Sequence, residues 1–215
     1  MVHRSASPDR QPAGAAAPRE VVVVAAAESL TDADLVERAR AGDRWAEEVI
    51  YRRHVAYVGW LVVRLIGRHH DAEDVLQEVF TIALEHLRSL RDGTAVRAWL
   101  TQIAVSRARR RLQRRRLMRL CGLDRGADDA TLASLASNGC SPETHAELRL
   151  ISDALGALPA GARIAWTLHR VEGLTLDEVA AACRCSLATA KRRVAAGDQR
   201  VRGPAARAAG EAKAS

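Results

Sequence analysis

From Asp32 onward, apolar residues recur at three- and four-residue intervals with charged residues between them, so the chain reads as a series of amphipathic helices. Thr31-Asp32-Ala33-Asp34 is a capping-box-like start for a first helix carrying Leu35, Val36 and Ala39, and Gly42 ends it. Asp43 is placed to cap a long second helix with Trp45, Ile50, Tyr57, Leu61 and Leu65, its stripe interrupted by Arg53 and His54. A third helix begins after Asp71. Its Leu76, Phe80, Ala83, Leu87 and Leu90 form one apolar stripe, while Asp74, Gln77, Glu78, Thr81 and Glu85 fall on a solvent-facing one. Arg91-Asp92-Gly93-Thr94 breaks that helix. A fourth follows, with Val96, Trp99, Leu100, Ile103 and Ala104 as its apolar face.

The pattern fades at three places. Residues 1–27, rich in Ala, Pro and Arg, read as a disordered lead. Residues 28–119 form a first helical domain, and 120–142, rich in Gly, Ser, Ala and Asp, a flexible linker. Residues 143–204 form a second helical domain, interrupted at Leu158-Pro159 and Glu172-Gly173, and 205–215 read as a disordered tail. The expected fold class is all-α: two small helical domains joined by a flexible linker.

Composition supports this. Aromatic residues make up only 3% of a chain that is 48% hydrophobic, so Ala, Leu and Val must fill the core, which suits closely approaching helices. No apolar run reaches the length of a membrane span, so no membrane insertion is expected. The run Val21 to Ala27 is short for a signal core and lacks a basic start directly before it, which favours a cytoplasmic location. Cys121, Cys140, Cys183 and Cys185 contain no C-x-x-C pair and read as reduced thiols.

Charge is concentrated in one place. Between Arg97 and Arg119 there are nine arginines (97, 107, 109, 110, 111, 114, 115, 116 and 119) and no acidic residue. That span carries +9 where the whole chain carries +7, so the remainder is net acidic by about two charges. A solvated helix face mixes signs, and a lipid-lying helix needs large apolar residues opposite the charge. This segment does neither, which points to phosphates and salt-sensitive binding.

The stretch Thr175 to Val201 has helix-turn-helix layout. A helix holding Val179, Ala180 and Cys183 is followed by the turn Arg184-Cys185-Ser186, with Ser186 placed to cap a second helix. There Ala190, Val194, Gly197 and Val201 form the buried stripe, leaving Lys191, Arg192, Ala195 and Gln199 for a DNA groove. Arg184 stands where such turns favour glycine, and a positive φ there costs about 1 kcal/mol, so either the turn adopts another shape or the domain tolerates the strain.

These segments together resemble the extracytoplasmic-function sigma factors of bacterial RNA polymerase. Asp32 to Asp43, Asp71-Ala-Glu-Asp-Val-Leu-Gln-Glu-Val-Phe80 and Ala98-Trp-Leu-Thr-Gln-Ile-Ala104 before the Arg run are similar to region 2. Ala157-Leu-Pro159, Gly173 to Ala180 and Ser186-Leu-Ala-Thr-Ala-Lys191 are similar to region 4. The resemblance implies that Asp71, Asp74, Gln77, Glu78 and Glu85 dock on the clamp helices of the polymerase largest subunit, with the flap of the second-largest as a further contact. It implies that Arg97, Ser106, Arg107, Arg109, Arg110, Arg111 and Arg114 read the −10 element, where a flipped base enters a pocket. It assigns the −35 element to Ser186, Leu187, Ala188, Thr189, Lys191, Arg192, Arg193 and Gln199. Promoter DNA and core polymerase are the implied partners, with an anti-sigma factor as a further one.

Some positions depart from that pattern. Val96 replaces a usual aromatic, Ser106 a common Asn, and Ala196-Gly197-Asp198 the usual Arg-Ala-Arg, so Asp198 is expected to repel phosphate. With few aromatics and Trp99 read as core, stacking of unwound bases has little visible support. Two other readings remain. A stand-alone helix-turn-helix regulator explains only the second domain. A metalloenzyme using His69, His70, Asp71, Glu73 and Asp74 lacks ligands on one helix face. No nucleophile–base set or Gly-rich phosphate loop is present, so neither catalysis, metal nor cofactor is expected.

Overall fold

The computed structural model describes residues 29–67, 69–122 and 150–211, with the side chains of 69, 70 and 203–211 left out. The expected lead 1–27 and most of the expected linker therefore lie outside the described residues. Among those described, all regular structure is helical: α1 (Asp32–Arg40), α2 (Arg44–Ile66), α3 (His69–His86), α4 (Val96–Leu120), α5 (Ala160–Trp166), α6 (Leu176–Cys183) and α7 (Leu187–Glu211). Short 3-10 turns follow α3 and precede α4, and a π-helical turn, Thr167–Val171, follows α5.

Local chemistry sets the boundaries. Asp43 accepts the Trp45 backbone N–H at the start of α2, and Gly67, at φ 75°, ends it in the left-handed conformation. Asp92 caps the turn before α4 by accepting from Thr94 N. Gly93 is required there by proximity: a Cβ would lie 2.6 Å from Ala33 Cα, so α1 could not cross the turn.

The core of the first helical domain is built from α1 to α4 around Leu35, Leu61, Leu65, Ile66, Val75, Leu87 and Leu100, all essentially fully buried. Each such side chain contributes roughly 1.5–3 kcal/mol. His54, read from sequence as an interruption, is buried because Asp32 Oδ2 sits 2.9 Å from its Nε2, while Arg53 pairs with Asp32 Oδ1 at 2.6 Å. Two stripes differ from expectation. On α3 the buried line is Ala72, Val75, Val79, Phe80, Ala83 and Leu87, and Leu76 and Leu90 are half-buried at its rim. On α4 the line continues through Thr101, Val105, Ala108 and Leu112, while Trp99 and Ile103 are half-buried rather than core.

In the second domain α5, α6 and α7 close on Ile164, Leu168, Val179, Cys183, Ala190 and Val194. The last helix runs to Glu211, past the 204 boundary drawn from sequence. Both helical domains belong to one compact unit, Asp32–Ser215. α5 and α6 rest against α4.

Candidate nucleic-acid interface

The exposed stripe of α3 is as expected at Asp74, Gln77, Glu78, Thr81 and Glu85, all at the surface. Asp71 is different. Its side chain is 16% exposed and lies 2.6 Å from Arg111 and 3.5 Å from Arg115, so it ties α3 to α4 instead of joining the outer stripe. Asp74 also reaches Arg111, at 3.1 Å.

The cationic helix divides accordingly. Arg97, Ser106, Arg110 and Arg114 are exposed. Arg111 is half-buried, and its guanidinium is held more firmly protonated by the hydrogen bond to Asp71. Arg107 lies 3.9 Å from Glu78, and Arg109 donates to the Cys183 carbonyl at 3.2 Å. Of the seven side chains expected to read the −10 element, three are thus engaged within the protein. The other four are exposed, Ser106, Arg110 and Arg114 along one side of α4 and Arg97 near its start on another. Nothing acidic on α4 offsets their charge, which suits these arginines to a phosphate backbone.

Arg97 is positioned by a residue that sequence reasoning left in the core. Tyr57 on α2 places its ring beneath the Arg97 guanidinium, 4.0 Å from centroid to Cζ, and its hydroxyl meets Thr101 Oγ1 at 3.0 Å. Thr101 in turn donates to the Arg97 carbonyl. The signal was present only as an aromatic on one helix and an arginine forty positions later, and no spacing rule joins the two.

The helix-turn-helix is set by its caps. Thr175 and Glu178 form a reciprocal capping box at the start of α6, and these hydrogen bonds hold the Glu178 carboxyl below its ordinary range. Arg184 adopts φ 49°, ψ 56°, so of the two outcomes the turn stays left-handed and the domain tolerates a non-glycine residue there. Ser186 Oγ accepts from Thr189 N at 3.2 Å, capping α7. Ser186, Leu187, Ala188, Lys191, Arg192 and Gln199 are exposed. Thr189 is half-buried and bonded through its hydroxyl to Ser186. Arg193 faces inward: its guanidinium packs where a Cβ on Gly161 would be, and its Nη1 is buried, so the groove-reading expectation is corrected for that residue.

Asp198 is corrected too. Its carboxylate receives two bonds from Arg170, at 3.0 and 2.7 Å, and one from Trp166 Nε1 at 3.0 Å. The Arg170 pairing keeps its pKa below the usual carboxylate value, and the charge is answered inside the domain rather than turned toward phosphate.

Cys183 is buried, and burial pushes its thiol pKa up, whereas Cys121 is exposed and Cys185 intermediate. Among the described residues no group of His, Cys, Asp and Glu is arranged to hold a metal ion, and no helix is long and apolar enough to cross a membrane.

The same two segments match known families. Residues 50–118 match Sigma-70 region 2, and residues 148–197 match Sigma-70, region 4. The ECF RNA polymerase sigma-E factor of Haemophilus influenzae is 33% identical over 174 residues, covering 78% of this chain and 92% of that protein. The chain belongs to the extracytoplasmic-function sigma factors. The sigma-E factor of Escherichia coli K12 is likewise 33% identical, over 78% of this chain and 90% of its own. Among solved structures, RpoE bound to the anti-sigma factor NepR from Bartonella quintana gives a TM-score of 0.54 at 25% identity, over 72% of this chain and 92% of that one. CnrH bound to the cytosolic domain of CnrY shares the fold, with TM-score 0.55 at 22% identity over 80% and 95%.

Proposed function

We propose that this sigma factor binds core RNA polymerase through the α3 stripe of Asp74, Gln77, Glu78 and Glu85 and carries it to promoters with two DNA readers. The exposed side chains of α4, Arg97, Ser106, Arg110 and Arg114, read the −10 element and hold its opened strand. Ser186, Leu187, Ala188, Lys191, Arg192 and Gln199, at the N-terminal half of α7, read the −35 element from the major groove. The observation that carries this reading is the set of exposed arginines on α4, Arg97, Arg110 and Arg114, on a helix with no acidic residue and in the same unit as a capped helix-turn-helix. Opening DNA costs a few kcal/mol per unstacked base, which phosphate contacts of this density can offset.

The chain does its work by binding, in the cytoplasm, and the polymerase supplies the chemistry. α5 and α6 cover part of α4, so the two readers must part before both reach DNA. Polymerase docking separates them and fixes their spacing, raising the effective concentration of each for its element. An anti-sigma factor that held them together would restrain the protein; RpoE of Bartonella quintana, which this chain resembles, forms a complex with the anti-sigma factor NepR.

Run-off transcription on genomic promoter fragments, with core polymerase and across a salt series, tests the proposal. Transcripts dependent on this chain and falling steeply with salt are the expected result. Tight, specific duplex binding by the free protein with no effect of polymerase would favour a stand-alone regulator and overturn it.

A further inference from the structure

A hollow of about 200 Å³ lies between the middle of α4 and the end of α6. Gln102, Ser106, Arg109 and Gln113 fall on one face of α4 and, with Arg110 beside them, supply one wall. The other wall includes the turn after α6, where Arg184 stands. None of the described residues lining the hollow is acidic. Arg109 donates through Nη2 to the Cys183 carbonyl, yet its Nε is buried with no acceptor among the described residues. A buried donor left in that state is costly, and an acceptor entering beside it removes the cost. Arg184 is the sole non-glycine residue at positive φ among those described. Glycine would suit that turn better, so the fold tolerates strain while placing a guanidinium at this wall.

Three guanidiniums around one small space repel one another and call for an anion of more than one charge. A phosphate group carries roughly −1.5 to −2 at neutral pH with three acceptor oxygens, and arginine meets it through paired N–H bonds. Two such groups in one molecule match three cations better than one does. We infer that this hollow binds a small diphosphate, free or at the end of a nucleotide, and that its occupant holds the chain closed. α4 and α6 both wall the site, so the ligand prefers the form in which the two domains touch. By linkage it opposes their parting, and it engages Arg110, which the −10 strand needs. The site stands on its own geometry; its effect on transcription rests on the reading that the two readers part on the polymerase.

Calorimetric titration of the free full chain at constant ionic strength, with sodium pyrophosphate and with ADP, tests the site. The two carry the same group free and on a nucleoside, and the tighter of them names the source. Arg184→Gly eases its turn while removing one cation and should weaken binding about tenfold. Gln113→Glu, which adds a carboxylate to the wall, should weaken it at least as much. Arg116→Gln, on the same helix but outside the hollow, should leave the affinity unchanged. At ten times the wild-type Kd, capture of core polymerase by the labelled wild-type chain should slow about tenfold, and capture by Arg184→Gly only about twofold. Binding of neither compound, or equal affinities for the wild type and all three variants, overturns the site. Site-specific binding that leaves capture equally fast overturns the closing role. A chain that never captures core polymerase, with or without diphosphate, overturns the proposed function, while the titration still decides the site.

Discussion

The Trp166 ring occupies the space that any side chain at position 197 would need. A Cβ built on Gly197 would stand 2.4 Å from Trp166 Cδ1 and 2.6 Å from Cγ. The next residue, Asp198, accepts a hydrogen bond from Trp166 Nε1, so glycine admits the ring and aspartate holds it. Trp166, Gly197 and Asp198 therefore act as one packed set, with Arg170 closing it from the π-helical turn.

Gly197→Ala should destabilise region 4. Alanine gains roughly 0.5–1 kcal/mol in helix propensity over glycine, but insertion of a methyl into a filled site costs about 1–3 kcal/mol. The clash outweighs propensity here because Trp166 is fixed by its own hydrogen bond. A net loss of about 1–2 kcal/mol is expected in urea denaturation followed by tryptophan fluorescence. A stability gain for Gly197→Ala would show that the ring is free to move aside.

Acid should weaken the same contact. Asp198 has a pKa lowered in the folded protein, chiefly by the Arg170 hydrogen bond, so it binds protons more readily when unfolded. Its contribution to stability is accordingly complete above the ordinary carboxylate pKa of about 4 and is lost as pH falls through the lower folded value. The pair is partly exposed, which limits the effect to about 1 kcal/mol or less. Wild type and Asp198→Asn, compared by denaturation at neutral pH and near pH 3, should differ at the first and converge at the second. A constant gap between them would assign the stability to something other than this ionisation.

Neighbouring arginines on α4 should behave differently. Arg110 is exposed, whereas Arg111 bridges Asp71 and Asp74 on α3. Arg110→Ala should leave the melting temperature alone, weaken promoter binding by the holoenzyme and reduce the log–log salt slope by about one. Arg111→Ala removes a partner of the largely buried Asp71 and should lower the melting temperature by a few degrees, roughly 1–2 kcal/mol. Calorimetry beside a salt titration separates the two. Equal melting losses for both would mean that the ion pair holds nothing together.

Much of this was legible in the sequence because it depends on local rules. The caps at Asp43 and Ser186 follow from residue type beside a periodic run, whereas the turn at Arg184 was open between two shapes, and the structure takes the left-handed one. What escaped were contacts between helices distant in the chain. Asp198 looked like a charge aimed at phosphate because Arg170 lies 28 positions earlier, in a turn whose π-helical form no periodicity announces. Arg193 looked like a groove reader because its neighbours Lys191 and Arg192 are exposed, and only the glycine at 161 shows the space it fills. A run of nine arginines announces a polyanion, but not which of them are already paired at home.

The contact between the two domains offers the last test. Glu172, with a side chain only 8% exposed, pairs with Arg64 of α2 at 2.7 Å, and Arg109 donates to the Cys183 carbonyl nearby in the same interface. Breaking a pair by charge reversal leaves a cation facing a cation in a partly dry site, which is costlier than losing the attraction. Glu172→Arg should therefore open the unit, seen as a larger radius in small-angle scattering of the free protein. It should also let the free protein bind single-stranded −10 DNA more tightly, since residues 172–182 border the same hollow as Arg97 and Gln102 of α4 and would then move away from them. Arg64→Glu in the same chain restores the opposite charges and should return both readouts toward the wild type. If Glu172→Arg stays as compact as the wild type, the packing of α5 and α6 on α4 holds the domains without this pair.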